Sequence, residues 1–174
     1  VKILDLNGVL KEFGLYGAQD VVDLGTGAGH LALVAAKRLE GGRLFAVDVE
    51  RDMLKRLASE AQSAGLSNLH TLSGNASRER GVPLADMVMD RAIVASVLFT
   101  VDDKNAFIEE TRRLLKPGGK VLFIEWRSDH SYGPHPRHKI AESDALVLFS
   151  RYGFVKERDV EAGDLHYGMI FIRT

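Results

Sequence analysis

The stretch Val21-Val22-Asp23-Leu24-Gly25-Thr26-Gly27-Ala28-Gly29-His30 constrains this chain more than any other. Its β-branched pair suits a strand covered on both faces. The glycines let the backbone turn sharply and lie against a ligand with no Cβ in the way. Leu31–Arg38 follows as a strongly apolar helix, whose first N–H groups are unpaired and carry a partial positive charge. Strand, turn and helix together describe a nucleotide-type cofactor site at the carboxyl end of the first strand of an open α/β sheet.

The spacing of the turn narrows the ligand. A dinucleotide fingerprint, G-x-G-x-x-G, would put its third glycine at His30, and a phosphate-binding loop would end in Gly-Lys-Ser/Thr, but no lysine is near. The sequence is instead Asp-x-Gly-x-Gly-x-Gly. Its leading acid, Asp23, is awkward beside a pyrophosphate and useful beside a cation. S-adenosyl-L-methionine carries an ammonium and a sulfonium and no phosphate. On these residues the chain resembles the class I S-adenosylmethionine-dependent methyltransferases. The resemblance implies that cofactor, held by Asp23, Gly25, Thr26, Gly27, Gly29 and His30. A bare tight turn is the alternative reading.

Bulk properties bound the rest. The 174 residues make one domain, 1–174, large enough to bury its own core. A formal net charge of −1 with no basic run gives no electrostatic footprint for nucleic acid or an anionic membrane. The absence of cysteine excludes disulfides, thiolate metal sites and cysteine nucleophiles. No apolar run is long enough to span a bilayer and no signal-peptide pattern opens the chain, so a cytoplasmic protein is expected. The first residue is Val1 rather than Met, which leaves room for residues ahead of it.

Leu4–Gly14 has apolar residues at roughly helical spacing. By resemblance a segment within residues 1–16 covers the cofactor as a lid; an amphipathic helix closing the sheet edge is the other reading. Arg43–Asp48 reads as a second strand ending on an acid about 20 residues past the turn, where an acid can accept hydrogen bonds from ribose hydroxyls. The resemblance gives Asp48 that role and places Val49 beside the adenine. Asp48 could otherwise cap the helix Arg51–Ala64. Leu69–Leu72 is a short third strand leading to Ser73-Gly74-Asn75-Ala76, where the family usually has Gly-Asp-Ala. Asn75 and Ala76 are thus assigned to the adenine side, Asn75 accepting from the adenine amine in place of the acid. A simple turn asparagine is the alternative.

Ala85–Arg91 reads as the fourth strand, with Asp90 and Arg91 at its carboxyl end beside the cofactor. A local ion pair at a strand end is the competing explanation. Family members often carry His or aromatic residues a few positions on, where this chain has Ala95-Ser96-Val97, which leaves a site-capping group unfilled. The Asn-Pro-Pro-Tyr type motif of methyltransferases acting on nucleic acid bases is also absent. Lys104–Lys116 is an amphipathic helix, and Leu115-Lys116-Pro117-Gly118-Gly119 leads into a fifth strand, Lys120–Trp126. This block resembles the methyltransferases related to ubiquinone and menaquinone biosynthesis (methyltransferase type 11), where its part is structural.

Residues 127–139 hold three of the six histidines and two of the four prolines. A restrained polar insert at the carboxyl edge of such a sheet is where substrate-reading loops are placed; a plain surface loop is the other reading. No carboxylate or cysteine cluster accompanies the histidines, so no metal is expected. Glu142–Tyr152 is the last helix, and two final strands, Phe154-Val155 and His166–Ile172, form a hairpin. The resemblance implies a Rossmann-like seven-stranded sheet, order 3-2-1-4-5-7-6, with strand 7 antiparallel and helices on both faces.

The implied reaction moves the sulfonium methyl to a small-molecule acceptor by in-line displacement. If the acceptor must lose a proton, Asp90, Glu125, His130 and His135 are the candidate bases. A catalytically idle cofactor-binding scaffold or regulatory subunit is a second reading, and an RNA or protein methyltransferase a third. A homodimer is left open.

Overall fold

The computed structural model describes all residues, Val1–Thr174. Its elements are α1 (Leu6–Glu12), β1 (Asp20–Leu24), α2 (His30–Arg38), β2 (Arg43–Asp48), α3 (Arg51–Ser63), β3 (Leu69–Ser73), β4 (Met89–Ala95), α4 (Lys104–Leu114), β5 (Leu115–Trp126), α5 (Glu142–Arg151), β6 (Phe154–Val160) and β7 (His166–Arg173). Short 3-10 turns stand at Leu98–Thr100 and Pro136–His138. The seven strands form one sheet in the order β3-β2-β1-β4-β5-β7-β6. Pairing is parallel from β3 to β5, and β7 runs antiparallel to both of its neighbours.

Two apolar cores explain why the strands are uninterrupted hydrophobic runs. On one face, Phe107 and Ile108 of α4 and Phe149 of α5 pack on Val121, Phe123 and Phe171. The Phe149 and Phe171 rings stack 4.1 Å apart at 4°. On the other face, Val9, Leu10 and Phe13 join Ala32, Ala35 and Ala36 of α2 and Leu57 and Ala61 of α3 over Val21, Ile93 and Leu122. The N-terminal helix packs with α2 on the middle of the sheet, over β1, β4 and β5, rather than along its edge. The residues ahead of it reach the carboxyl end of the sheet, where Lys2 and Asp164 exchange hydrogen bonds next to the β6–β7 turn. No helix is long and apolar enough to cross a membrane.

The fourth strand departs from the sequence reading. It lies four residues later, at Met89–Ala95, so Asp90 and Arg91 stand at its amino end and Ala95 at its carboxyl end. The charges that looked like a strand terminus are a strand start. The Asp90 carboxylate accepts the N–H of Asp20, the first residue of β1, at 2.8 Å and pairs with Lys116 at 2.7 Å. Arg91 lies over the Phe13 ring, its Nη1 donating to the Asp90 carbonyl. Residues 85–88 are a connector, with Met87 and Val88 donating to the Arg113 and Leu114 carbonyls. The Leu115–Gly119 block also differs in detail. α4 stops at Leu114, and Lys116–Gly119 bulge out of β5, because Met89 pairs with Leu115 but Arg91 pairs with Lys120.

The connector between β3 and β4 is held by one buried acid. Glu110 is 3% exposed; Oε1 accepts the Val82 N–H, Oε2 accepts the Arg80 N–H, and both oxygens bind the Arg113 guanidinium. Deleting the Glu110 carboxylate takes the acceptor from the Arg80 and Val82 N–H groups, while Arg113 keeps Asp86 at 2.7 Å. Glu110→Ala should therefore lower stability by about 1–3 kcal/mol, read as a fall in the urea midpoint, while Glu109→Ala on the same helix should leave it nearly unchanged.

Candidate cofactor and acceptor site

Strand order reverses between β1 and β4, and the crevice outside their carboxyl ends is where open α/β sheets bind ligands. The glycine turn fills that position. Gly25, Gly27 and Gly29 all have positive φ, at 74°, 55° and 80°. A Cβ on Gly25 would lie 2.3 Å from Val97 Cγ2, and one on Gly29 would lie 2.4 Å from Leu57 Cδ1. The turn is thus wedged between the residues after β4 and helix α3. A Cβ on Gly27 would meet nothing within 4 Å, so the open side of the turn is at its middle glycine.

The turn is also tied to the end of β2. Gly25 and Thr26 both donate to the Val47 carbonyl, at 2.8 and 3.0 Å, and Gly27 donates to Asp48 Oδ2 at 2.8 Å. Asp48 Oδ1 accepts the Glu50 N–H, so Asp48 steadies both the turn and the entry to α3. The N-cap residue of α3 is Glu50, not Asp48. A carboxylate with one bond on each oxygen keeps lone pairs for further donors such as ribose hydroxyls. Val49, next in sequence, is an apolar residue left 56% exposed at the strand end.

Asp23 is 3% exposed and accepts the Thr26 hydroxyl at 2.7 Å. Burial, opposed by the Thr26 bond and reinforced by nearby Asp48, pushes its carboxyl up to about 6. Neither Asp23 nor Asp48 is ion-paired within the chain. Two neighbouring acids with no internal cation, beside a helix N-terminus and a Cβ-free turn, suit a ligand that brings positive charge together with hydroxyl groups. The residues present fit S-adenosylmethionine on that ground.

The other sequence assignments divide. His30 is the exposed first residue of α2, at the turn. Asn75 lies just past β3, but its Oδ1 accepts the Ser77 N–H at 2.9 Å, which is the turn-asparagine geometry. Ala76 puts its side chain into the core and has only its backbone to offer. Asp90 and Arg91 lie at the opposite end of the sheet, so their assignment to cofactor and, for Asp90, to base chemistry is withdrawn. Glu125 lies near the carboxyl end of β5 with its side chain fully buried. His130 is half-buried, whereas His135 is exposed and spends Nδ1 on the Arg137 N–H.

With β4 in its true position, the residues beyond its end change meaning. Ser96, in left-handed backbone with φ 49°, and Val97 border the glycine turn. The 3-10 turn that follows carries Phe99, an aromatic that is half-buried and packed into neither core. The capping place that looked unfilled therefore has an aromatic residue in its turn, two positions past Val97. The apolar run through Val101 was the signal; ending the strand at the charged pair concealed it. Further along the same edge, Arg127, Asp129, His130, Tyr132, Glu161 and residues 163–165, with Val1, line a polar cavity of about 430 Å³ at the carboxyl end of β5.

The methyltransferase-domain family profile matches residues 21–119, and the chain belongs to that family, with the class I S-adenosylmethionine-dependent methyltransferase fold. Among solved structures, a SAM-dependent methyltransferase from Aquifex aeolicus superposes with a TM-score of 0.91 at 28% identity, covering 99% of this chain and 91% of that one. Among curated relatives, the ubiquinone/menaquinone biosynthesis C-methyltransferase of Pectobacterium atrosepticum is 30% identical over 115 residues, 65% of this chain and 45% of that protein's length. The chain thus spans under half of that relative. A [4+2]-cyclase, SpnF, shares the fold with a TM-score of 0.83 at 17% identity over 97% of this chain and 79% of that one.

Asp23 offers a direct probe of the site's charge. Its raised value means that the neutral form stabilises the fold below about pH 4, and this contribution is lost as pH rises through about 6. A cation arriving nearby favours the carboxylate and should expel the proton. Calorimetry of S-adenosylmethionine binding at pH 6 in buffers of different ionisation enthalpy should show proton release, and Asp23→Asn should abolish it.

Proposed function

We propose that this chain transfers the methyl group of S-adenosylmethionine to a small-molecule acceptor. The observation that carries the reading is the pair of unpaired acids, Asp23 and Asp48, at the two strand ends that flank an open, Cβ-free turn. The cofactor, when bound, supplies the activated methyl group. The chain's own part is to align the acceptor and keep water out, which can be worth roughly 7–11 kcal/mol of the barrier.

The parts divide along the sheet's carboxyl edge. Asp48 and Val49 serve ribose and adenine, the turn and Asp23 the charged aminoacyl end, and Ser96, Val97 and Phe99 the boundary with the acceptor. The polar insert 127–139 reads the acceptor. A small acceptor is supported by the scale of the cavity beside Arg127, His130 and Tyr132 and by the near-neutral charge of the chain, which offers no surface for an anionic polymer. A catalytically idle subunit is favoured by an unfilled capping position and by the lack of a substantial substrate domain; Phe99 weakens the first ground and leaves the second standing. The fold alone does not decide the reaction.

Two measurements test the proposal. S-adenosylmethionine and S-adenosylhomocysteine should both bind, and Asp48→Ala should weaken each by about 1–3 kcal/mol, the loss expected for charge-assisted hydrogen bonds. Release of S-adenosylhomocysteine should then appear with some member of a panel of phenols, quinols, amines and thiols. Tight cofactor binding with no turnover across the panel favours the idle subunit, and no binding of either compound overturns the proposal.

A further inference from the structure

Glu125 of β5 and Tyr167 of β7 face each other directly in the antiparallel ladder, so their side chains leave the same face of the sheet. Both are buried beneath the two segments that border the acceptor end of the site. Tyr167 Oη donates to the Ile140 carbonyl at 2.8 Å, which pins the exit of the 127–140 segment just before α5. Glu125 Oε1 accepts the N–H of Trp126 at 3.0 Å. Its Oε2 is fully buried with no hydrogen-bond partner.

An orphaned carboxyl oxygen in a core requires an explanation, because leaving it unmade costs the full desolvation of the group. The donors that face this carboxyl are the backbone N–H groups of Leu98 and Phe99, at the start of the 3-10 turn. The cation on that side, Lys104 at the start of α4, gives its Nζ to the Val101 carbonyl at 2.6 Å, the last link of the same turn. The remaining ionisable neighbours are Tyr167 and, facing Tyr167 from α5, Glu142 and Asp144. No full charge is therefore bonded to Glu125; what it faces is the amide edge of one short turn.

We propose that Glu125 is the positioning residue of the acceptor-side turn, its carboxylate seating Leu98–Thr100, and with it Phe99, while Tyr167 beside it holds the far end of the 127–140 segment. The two loops are thereby registered against each other through one rung of the sheet, the Glu125–Tyr167 pair. The inference rests on the reading of this edge as the acceptor end of a methyltransferase site. Seating depends on charge, because the ionised carboxyl only accepts, whereas a proton on Oε2 would turn that oxygen into a donor aimed at the turn amides. Burial pushes the Glu125 carboxyl up to about 7, so the seat forms as pH rises through neutrality. Tyr167 stays neutral there, since burial and the surrounding acids hold its hydroxyl above the ordinary value.

Hydrogen exchange on the whole chain tests this without an acceptor. In wild type, protection of the amides of residues 97–101, corrected for intrinsic exchange, should increase between pH 6 and pH 8. Glu125→Gln should remove that pH dependence and speed exchange of these amides about tenfold at pH 8, the scale of one lost buried hydrogen bond. Tyr167→Phe should act on residues 138–142 instead, and both variants should leave the glycine turn unaffected. Should either variant fail to fold, the wild-type pH profile alone decides. Flat wild-type protection at residues 97–101, or a change in Glu125→Gln spread evenly over the chain, overturns the inference. S-adenosylhomocysteine binding to wild type is measured in parallel. Failure to bind defeats the cofactor reading, whereas binding together with unchanged loop exchange in the variants defeats the positioning role.

Discussion

The hydrogen bond from the Gly27 N–H to Asp48 is the constraint on which the rest of the site depends. It fastens the middle of a flexible turn to the end of a neighbouring strand, and the Val47 carbonyl fastens the turn's beginning. A glycine-rich segment left free would lose more conformational entropy on meeting a ligand than any other kind. Here that entropy is already lost in folding. The same bond brings two carboxyl groups together with no internal cation, and burial keeps one of them, Asp23, partly protonated near pH 6. Two neighbouring acids without an internal cation suit a ligand that brings positive charge.

The sheet separates this preference from the rest of the molecule's charge. At the amino end of the strands, Asp20 and Asp90 are answered by Arg43 and Lys116. At the carboxyl end, Asp23 and Asp48 are not answered. Acids of the same chemical type therefore play different parts according to which end of a strand carries them. This asymmetry follows from parallel β1, β2 and β4, whose carboxyl ends all open on one crevice.

Much of this was legible in the sequence because the informative residues are local. The turn, Asp23 and Asp48 carry their meaning in spacing, and the strand order followed from the family they resemble. The fourth strand was misplaced because Asp90-Arg91 looks like the charged end of a short apolar run. Only the contacts with Asp20 and Lys116, 70 and 26 residues away, show it to be a beginning. The same distance hid Phe99 and Tyr167, whose roles depend on β4 and on the pairing of β5 with β7. Asn75 was ambiguous for a different reason, since an asparagine that closes its own turn and one that reads a base have the same sequence.

We place acceptor choice in the insert between β5 and α5, because the fold alone does not set the substrate. Everything proposed for the acceptor side presupposes that the cofactor sits at the glycine turn. Titration of S-adenosylmethionine into the isotopically labelled protein, followed through backbone amide resonances, tests it most directly. The largest displacements should fall at Gly25, Gly27, Val49 and Ser96, with Asp90 and Arg91 unmoved. Displacements centred on Asp90 and Arg91, or none anywhere, would contradict it.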